Sequence, residues 1–120
     1  MSKEQLYIFD TTLRDGAQTQ GVDFSIDDKE KISSALDKLG VDYVEGGWPG
    51  ANPTDTEFFN KDHNFKSTKL TAFGMTKKSE HSAENDPMIS SLINSKSSSV
   101  CLSLSSAAFI TLPSFLQTVF

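Results

Sequence analysis

The chain has 120 residues, a formal net charge of −5 and 37% hydrophobic residues, the composition of one ordinary globular domain able to bury a modest core. Its eleven basic residues are scattered among sixteen acidic ones, which excludes the clustered Lys and Arg of a nucleic-acid footprint. A single cysteine, Cys101, excludes an internal disulfide, and the opening MSKEQLY has no secretory h-region, so a cytoplasmic protein is expected.

In chain order, the apolar run from Gln5 to Asp10 reads as a first strand buried on both faces of a parallel sheet. Ser25 followed by Asp28 approximates a capping box. Ile32, Ala35, Leu36 and Leu39 then recur at helical spacing until Gly40 stops the pattern. A second strand is predicted over Val41 to Glu45, with Gly46 and Gly47 freeing the backbone to turn. Pro53 to Asn60 predicts a short helix with proline in its first turn and Phe58-Phe59 as anchors. A strand follows over Lys69 to Gly74, a helix over Asp86 to Asn94, and a strand over Ser98 to Leu104. This alternation predicts βαβ units and a parallel sheet: a flavodoxin-like or Rossmann-like layer, or the opening part of a (β/α)8 barrel. Periodicity alone leaves these open.

In parallel α/β folds reactive groups gather at the carboxyl ends of strands, where this chain places Asp10, Arg14 and Asp15, then Glu45. Carboxylates and a guanidinium at neighbouring strand ends suit a hard divalent cation and a substrate oxygen that gains negative charge. The plainer alternative is that Asp10 caps the turn and Arg14 bridges to Asp15 or Glu45.

The stretches FDTTLRDGAQTQGVDFS and VDYVEGGWPGANPTDTEFF resemble the opening of the metal-dependent acyl-CoA condensing enzymes: isopropylmalate, homocitrate and citramalate synthases, relatives of hydroxymethylglutaryl-CoA lyase. The bacterial citramalate synthase branch is the most similar, and the likeness covers about residues 5 to 102. It implies the N-terminal half of a (β/α)8 TIM barrel. Asp10 would bind a divalent metal (Mg2+, Mn2+ or Zn2+) that chelates a 2-oxo acid. Arg14 would polarise the carbonyl and stabilise the alkoxide as acetyl-CoA, the co-substrate, attacks. Asp15 and Gln18 would line the substrate pocket floor, and Glu45 would orient substrate or handle a proton. Ala17 stands where the lyase and isopropylmalate branches usually carry glutamate, which favours pyruvate as acceptor. The resemblance also implies a homodimer, with small-molecule substrates and neither nucleic acid nor membrane as partners.

Other residues point to weaker roles. His63 and His81 lie in polar segments without partners at metal-ligand spacing and read as surface histidines. Lys77 and Lys78 could meet coenzyme A phosphates but are more simply a solvated pair. Trp48 is expected to wall its own loop, and Cys101 to be an unactivated core residue on a buried strand.

The family's His-x-His pair and later strands are absent from this sequence, so a metal held by Asp10 alone would be weak. Half a barrel leaves two sheet edges and one face open, which predicts aggregation, self-association or incomplete folding unless another chain covers them. No charged residue follows Lys96, and the Ser/Phe/Leu-rich end from residue 103 to 120 departs from the family pattern. Pro113 and several serines make it a poor membrane span. A partner-binding tail is one reading, and translation out of the family's frame near Ser103 is the preferred one. The chain would then be an incomplete enzyme, or an inert truncated homologue acting as an interaction module.

Overall fold

The computed structural model describes residues 3–103, which form β1 (Phe9–Asp10), α1 (Ile26–Leu39), β2 (Tyr43–Gly47), α2 (Pro53–Asn60), β3 (Lys69–Met75), α3 (Pro87–Asn94) and β4 (Ser99–Ser103). Each helix begins where its sequence supplies a cap. Ser25 Oγ accepts from Asp28 N–H at 3.2 Å while the Asp28 carboxylate accepts from Ser25 N–H at 3.0 Å, a complete capping box for α1. Asn52 Oδ1 accepts from Asp55 N–H at 2.8 Å ahead of α2, and Asp86 Oδ1 accepts from Met88 and Ile89 N–H ahead of α3. Both of these helices carry proline at the first position, where its missing N–H costs nothing. Gly40 closes α1 at φ 87°, a conformation other residues adopt only with strain.

The four strands are parallel and lie in the order β1-β2-β3-β4. That order separates the candidate folds. Flavodoxin-like and Rossmann-like sheets reverse direction at a switch point and place helices on both faces, whereas right-handed crossovers that never reverse place every helix on the same face. The chain therefore has the α/β architecture of the N-terminal half of a (β/α)8 barrel, with one face of the sheet under the helices and the other corresponding to the barrel interior.

On the helix side, Phe58, Phe59, Leu70, Ala72 and Leu92 form one core cluster, and Leu13, Val41 and Val44, backed by Ile32 and Leu36 of α1, form another. Each fully buried phenylalanine contributes on the order of 1.5–3 kcal/mol of transfer free energy. Thr71 and Ser99 share a hydroxyl hydrogen bond of 2.6 Å between β3 and β4.

Several expectations need correction. The first strand is two residues long, not six, and is not buried on both faces: Leu6 is 87% exposed, and Tyr7 and Ile8 are also exposed. With β2 as its one strand neighbour among the described residues, this segment has an uncovered outer side. The second strand runs two residues later than expected, so Gly46 and Gly47 lie inside it instead of forming a turn. Packing explains why both are glycine. A Cβ on Gly46 would sit 2.7 Å from the Phe58 ring, and one on Gly47, at φ 146°, would collide with the Asp55 carboxylate. The pairing register of β2 with β3 slips between Glu45 and Gly47, as a bulge there requires. The third strand extends to Met75, Asp86 caps its helix from outside, and β4 begins at Ser99. The expected tail lies outside the described residues except for Ser103, which ends β4. Among the described residues no helix is long and apolar enough to cross a membrane.

His63 is not a free surface histidine. Its Nε2 lies 2.8 Å from the Phe58 carbonyl, and its ring stacks on Phe65 at 5.5 Å, so it closes the lower edge of the first core cluster. Cys101 is half-buried on the open face, not in the core.

Near the end of α1, Asp37 ties the helix to the entry of β3. Its carboxylate accepts from Lys66 N–H at 2.9 Å, Thr68 N–H at 3.0 Å and Ser67 N–H at 3.1 Å. These bonds, that from Lys66 foremost, lower its pKa from the ordinary 3.8 to about 2. A depressed carboxylate stabilises the fold above its unfolded pKa and ceases to do so as pH falls through its folded value. Urea unfolding is thus expected to show stability declining between pH 3.8 and about 2. Asp37→Ala should lower the midpoint at neutral pH and flatten this acid limb.

Candidate active site

The residues singled out by the first motif leave β1 through a tight turn. Asp10 closes it, accepting from Thr12 N–H at 3.0 Å and from the Thr12 hydroxyl at 3.1 Å. Three successive amides, those of Arg14, Asp15 and Gly16, then converge on the Thr11 carbonyl, and a single 3-10 turn spans Gly16–Gln18. This winding drives Leu13 into the core and lets Arg14 fold back over the open face.

There Arg14 meets Glu45. Its Nε lies 3.1 Å from Glu45 Oε2, its Nη1 lies 3.5 Å from the exposed Asp15 carboxylate, and its guanidinium rests on the Phe73 ring at 4.2 Å. Glu45 is fully buried. Among the described residues neither of its oxygens has a hydrogen-bond partner, so the 3.1 Å approach is charge pairing off the N–H direction. Burial raises the Glu45 pKa, with the Arg14 charge as the chief opposing influence. The Cys101 thiol is in turn pushed up to about 11 by burial and by the Glu45 carboxylate, which makes it a poor nucleophile.

Gln18 and Arg14 line a cavity of about 390 Å³ together with Asp23, Phe24, Trp48, Asn52 and Thr54. Asp10, Asp15 and Glu45 do not line it, so the structure gathers Arg14 with Glu45 and Asp15 but leaves Asp10 in its own turn. Asp15 is exposed beside Arg14. Trp48 meets Phe73 edge-on at 5.3 Å, extending the aromatic wall behind the guanidinium. Lys77 and Lys78 are both exposed after β3, as a solvated pair would be.

A divalent ion needs about six oxygen ligands. Among the described residues no three His, Cys, Asp or Glu side chains converge to hold one, and both Asp10 oxygens already accept from Thr12. The described residues therefore do not form a metal site by themselves.

The sequence reading missed the residues that hold this arrangement. Lys29 of α1, only 3% exposed, pairs with Asp55 of α2 at 2.5 Å and donates to the Leu13 carbonyl at 2.9 Å and the Gly46 carbonyl at 2.8 Å. Asp55 also accepts from Trp48 N–H at 2.8 Å and from the Asn52 amide at 3.1 Å. A lysine and an aspartate in the first turns of two charged, amphipathic helices give no sequence signal for burial. The adjacent glycines Gly46 and Gly47, the second of which makes room for Asp55, were the available hint.

Residues 5–84 match the HMGL-like family. The chain is 52% identical over 95 residues to an (R)-citramalate synthase of Aquifex aeolicus and 48% identical over 95 residues to one of Sulfolobus acidocaldarius. Each alignment covers 78% of this chain and 18% of the relative. A 2-isopropylmalate synthase of Microcystis aeruginosa is 48% identical over 60 residues, half of this chain and 11% of that protein. The chain thus spans less than a fifth of the length of the curated relatives it matches.

A raised carboxyl pKa means that the folded state carries a cost whenever Glu45 is ionised. Glu45→Gln is expected to raise stability at neutral pH, because the buried charge is removed. The advantage should shrink as pH falls through the raised pKa toward the ordinary 4.5, as denaturant midpoints across pH would show.

Proposed function

Because the chain belongs to the HMGL-like family, we propose that it forms the first part of an acyltransferase site that condenses acetyl-CoA with a 2-oxo acid, pyruvate being the favoured acceptor and (R)-citramalate and CoA the products. The observation that carries this reading is the Arg14–Glu45 pair, held at the carboxyl ends of β1 and β2 with the guanidinium on Phe73. When a base from outside the described residues takes a proton from the acetyl-CoA methyl group, the carbanion attacks the carbonyl carbon of the 2-oxo acid, and the carbonyl oxygen becomes an alkoxide. A fixed guanidinium in a water-poor setting stabilises that charge where it develops. Glu45, biased toward its protonated form by burial, can hold a proton next to the same oxygen. Gln18, on the cavity wall, and Asp15, beside the guanidinium, would orient the substrate. Water then cleaves the thioester and releases CoA.

A divalent ion, if bound, would polarise the 2-oxo acid; Asp10 would supply one carboxylate by giving up a bond to Thr12, and the remaining ligands would come from outside the described residues. Support for pyruvate comes from Ala17, which removes an acid from the first loop, and from the longer matches to citramalate synthases than to 2-isopropylmalate synthases. Condensation with a larger 2-oxo acid is the alternative.

The test replaces the matching stretch of the Aquifex aeolicus relative with residues 5–102 of this chain and follows CoA release from acetyl-CoA against a panel of 2-oxo acids. Release with pyruvate is expected. Arg14→Met should lower kcat on the order of a hundredfold or more, the usual cost of removing one donor to a developing oxyanion. A folded chimera inactive with every acceptor contradicts the reading, and preference for a branched 2-oxo acid favours the alternative.

A further inference from the structure

Arg14 is tethered by one long hydrogen bond, from its Nη1 to the exposed Asp15 carboxylate at 3.5 Å. The Glu45 oxygens and Arg14 Nε have no hydrogen-bond partners among the described residues, and the guanidinium rests on a flat aromatic face that offers no directional bond. The spacing of the pair must then be set by the two backbones from which the side chains hang. Those backbones meet at one atom. Lys29 Nζ donates to the carbonyl of Leu13, the residue before Arg14, and to the carbonyl of Gly46, the residue after Glu45. An ammonium has three N–H bonds, and Asp55 takes the third.

We propose that Lys29 is a positioning residue, whose ammonium ties the β1–α1 turn to the end of β2 and so fixes the separation of Arg14 and Glu45. The proposal rests on the reading of these two side chains as the reactive pair. Three features distinguish it from ordinary core stabilisation. The ammonium is buried and bonded to two backbone carbonyls, although a lysine is almost never fully buried. Its two carbonyl acceptors come from separate elements, each adjacent in sequence to one member of the pair. Asp55, which neutralises it, also holds the Trp48 amide, so the aromatic wall behind Arg14 belongs to the same unit. Guanidinium cannot substitute: its planar fork is wider than the ammonium tripod and cannot reach two carbonyls and a carboxylate in these directions.

The experiment uses NMR of the full chain and needs no catalysis, so its failure is separate from failure of the proposed reaction. Stacking on Phe73 displaces the Arg14 side-chain resonances by ring current, which reports directly where the guanidinium lies. The displacement is expected in the wild-type protein, to be lost in Lys29→Met and Lys29→Arg, and to persist in Asp55→Asn, which keeps both carbonyl bonds. Lys29→Arg retains the buried charge and serves as the test where Lys29→Met does not fold. A wild-type Arg14 without displacement overturns the proposal, as does a folded Lys29 variant that keeps it. Equal loss in Asp55→Asn would overturn it too, because general loosening of the loop would then be the cause.

Discussion

A single buried ammonium organises this half of the molecule. Lys29 lies between the two apolar clusters, reaching from α1 to Asp55 of α2 with Phe58 nearby at 5.8 Å, and it closes a gap that hydrophobic contacts leave open. An unpaired charge at that depth would cost several kcal/mol, so the fold must bring Asp55 and two backbone carbonyls to it. Gly47 follows from this demand. Asp55 occupies the space a Cβ would need, and β2 bulges at the same point. The direction in which Glu45 leaves the strand is thus a consequence of packing on the opposite face.

The open face has a different character. Most buried polar groups in this chain are fully engaged: Asp37 by three amides, Asp55 by an ammonium, an amide N–H and a side-chain amide. Among the buried carboxylates described, Glu45 differs: it has a charge partner and no hydrogen bonds among the described residues. A fold that satisfies its other carboxylates and leaves this one underserved, beside an arginine braced on aromatic rings, concentrates electrostatic tension at the strand ends where parallel α/β proteins do chemistry. Such tension costs stability, the usual relation between reactive sites and the scaffolds that hold them.

Much of this was legible from the sequence. Ser25 with Asp28, Gly40 and Pro53 mark helix ends by local chemistry, and α1 and α2 lie where those signals place them. The strand-end position of Arg14 and Glu45 followed from alternation, and a bridge from Arg14 to Asp15 or Glu45 was one of the readings left open, both of which the structure shows. What escaped was non-local. Gly46 and Gly47 look like turn residues because chain-local rules assign glycine to turns, whereas here phenylalanine rings and an aspartate from α2 demand it. The apolar run before Phe9 looks like a buried strand, yet its burial depends on neighbours that the described residues do not supply. Lys29 and Asp55 were invisible for the same reason, since a charged residue in a first helical turn is ordinarily solvated.

Whether one ammonium sets the geometry of the strand ends shows in the Lys29 side-chain nitrogen signal of a 15N-labelled chain at neutral pH. A slowly exchanging ammonium resonance is expected, distinct from those of the exposed lysines, with scalar coupling to the Leu13 and Gly46 carbonyl carbons. A Lys29 ammonium that exchanges as fast as the exposed lysines and shows neither coupling would contradict it.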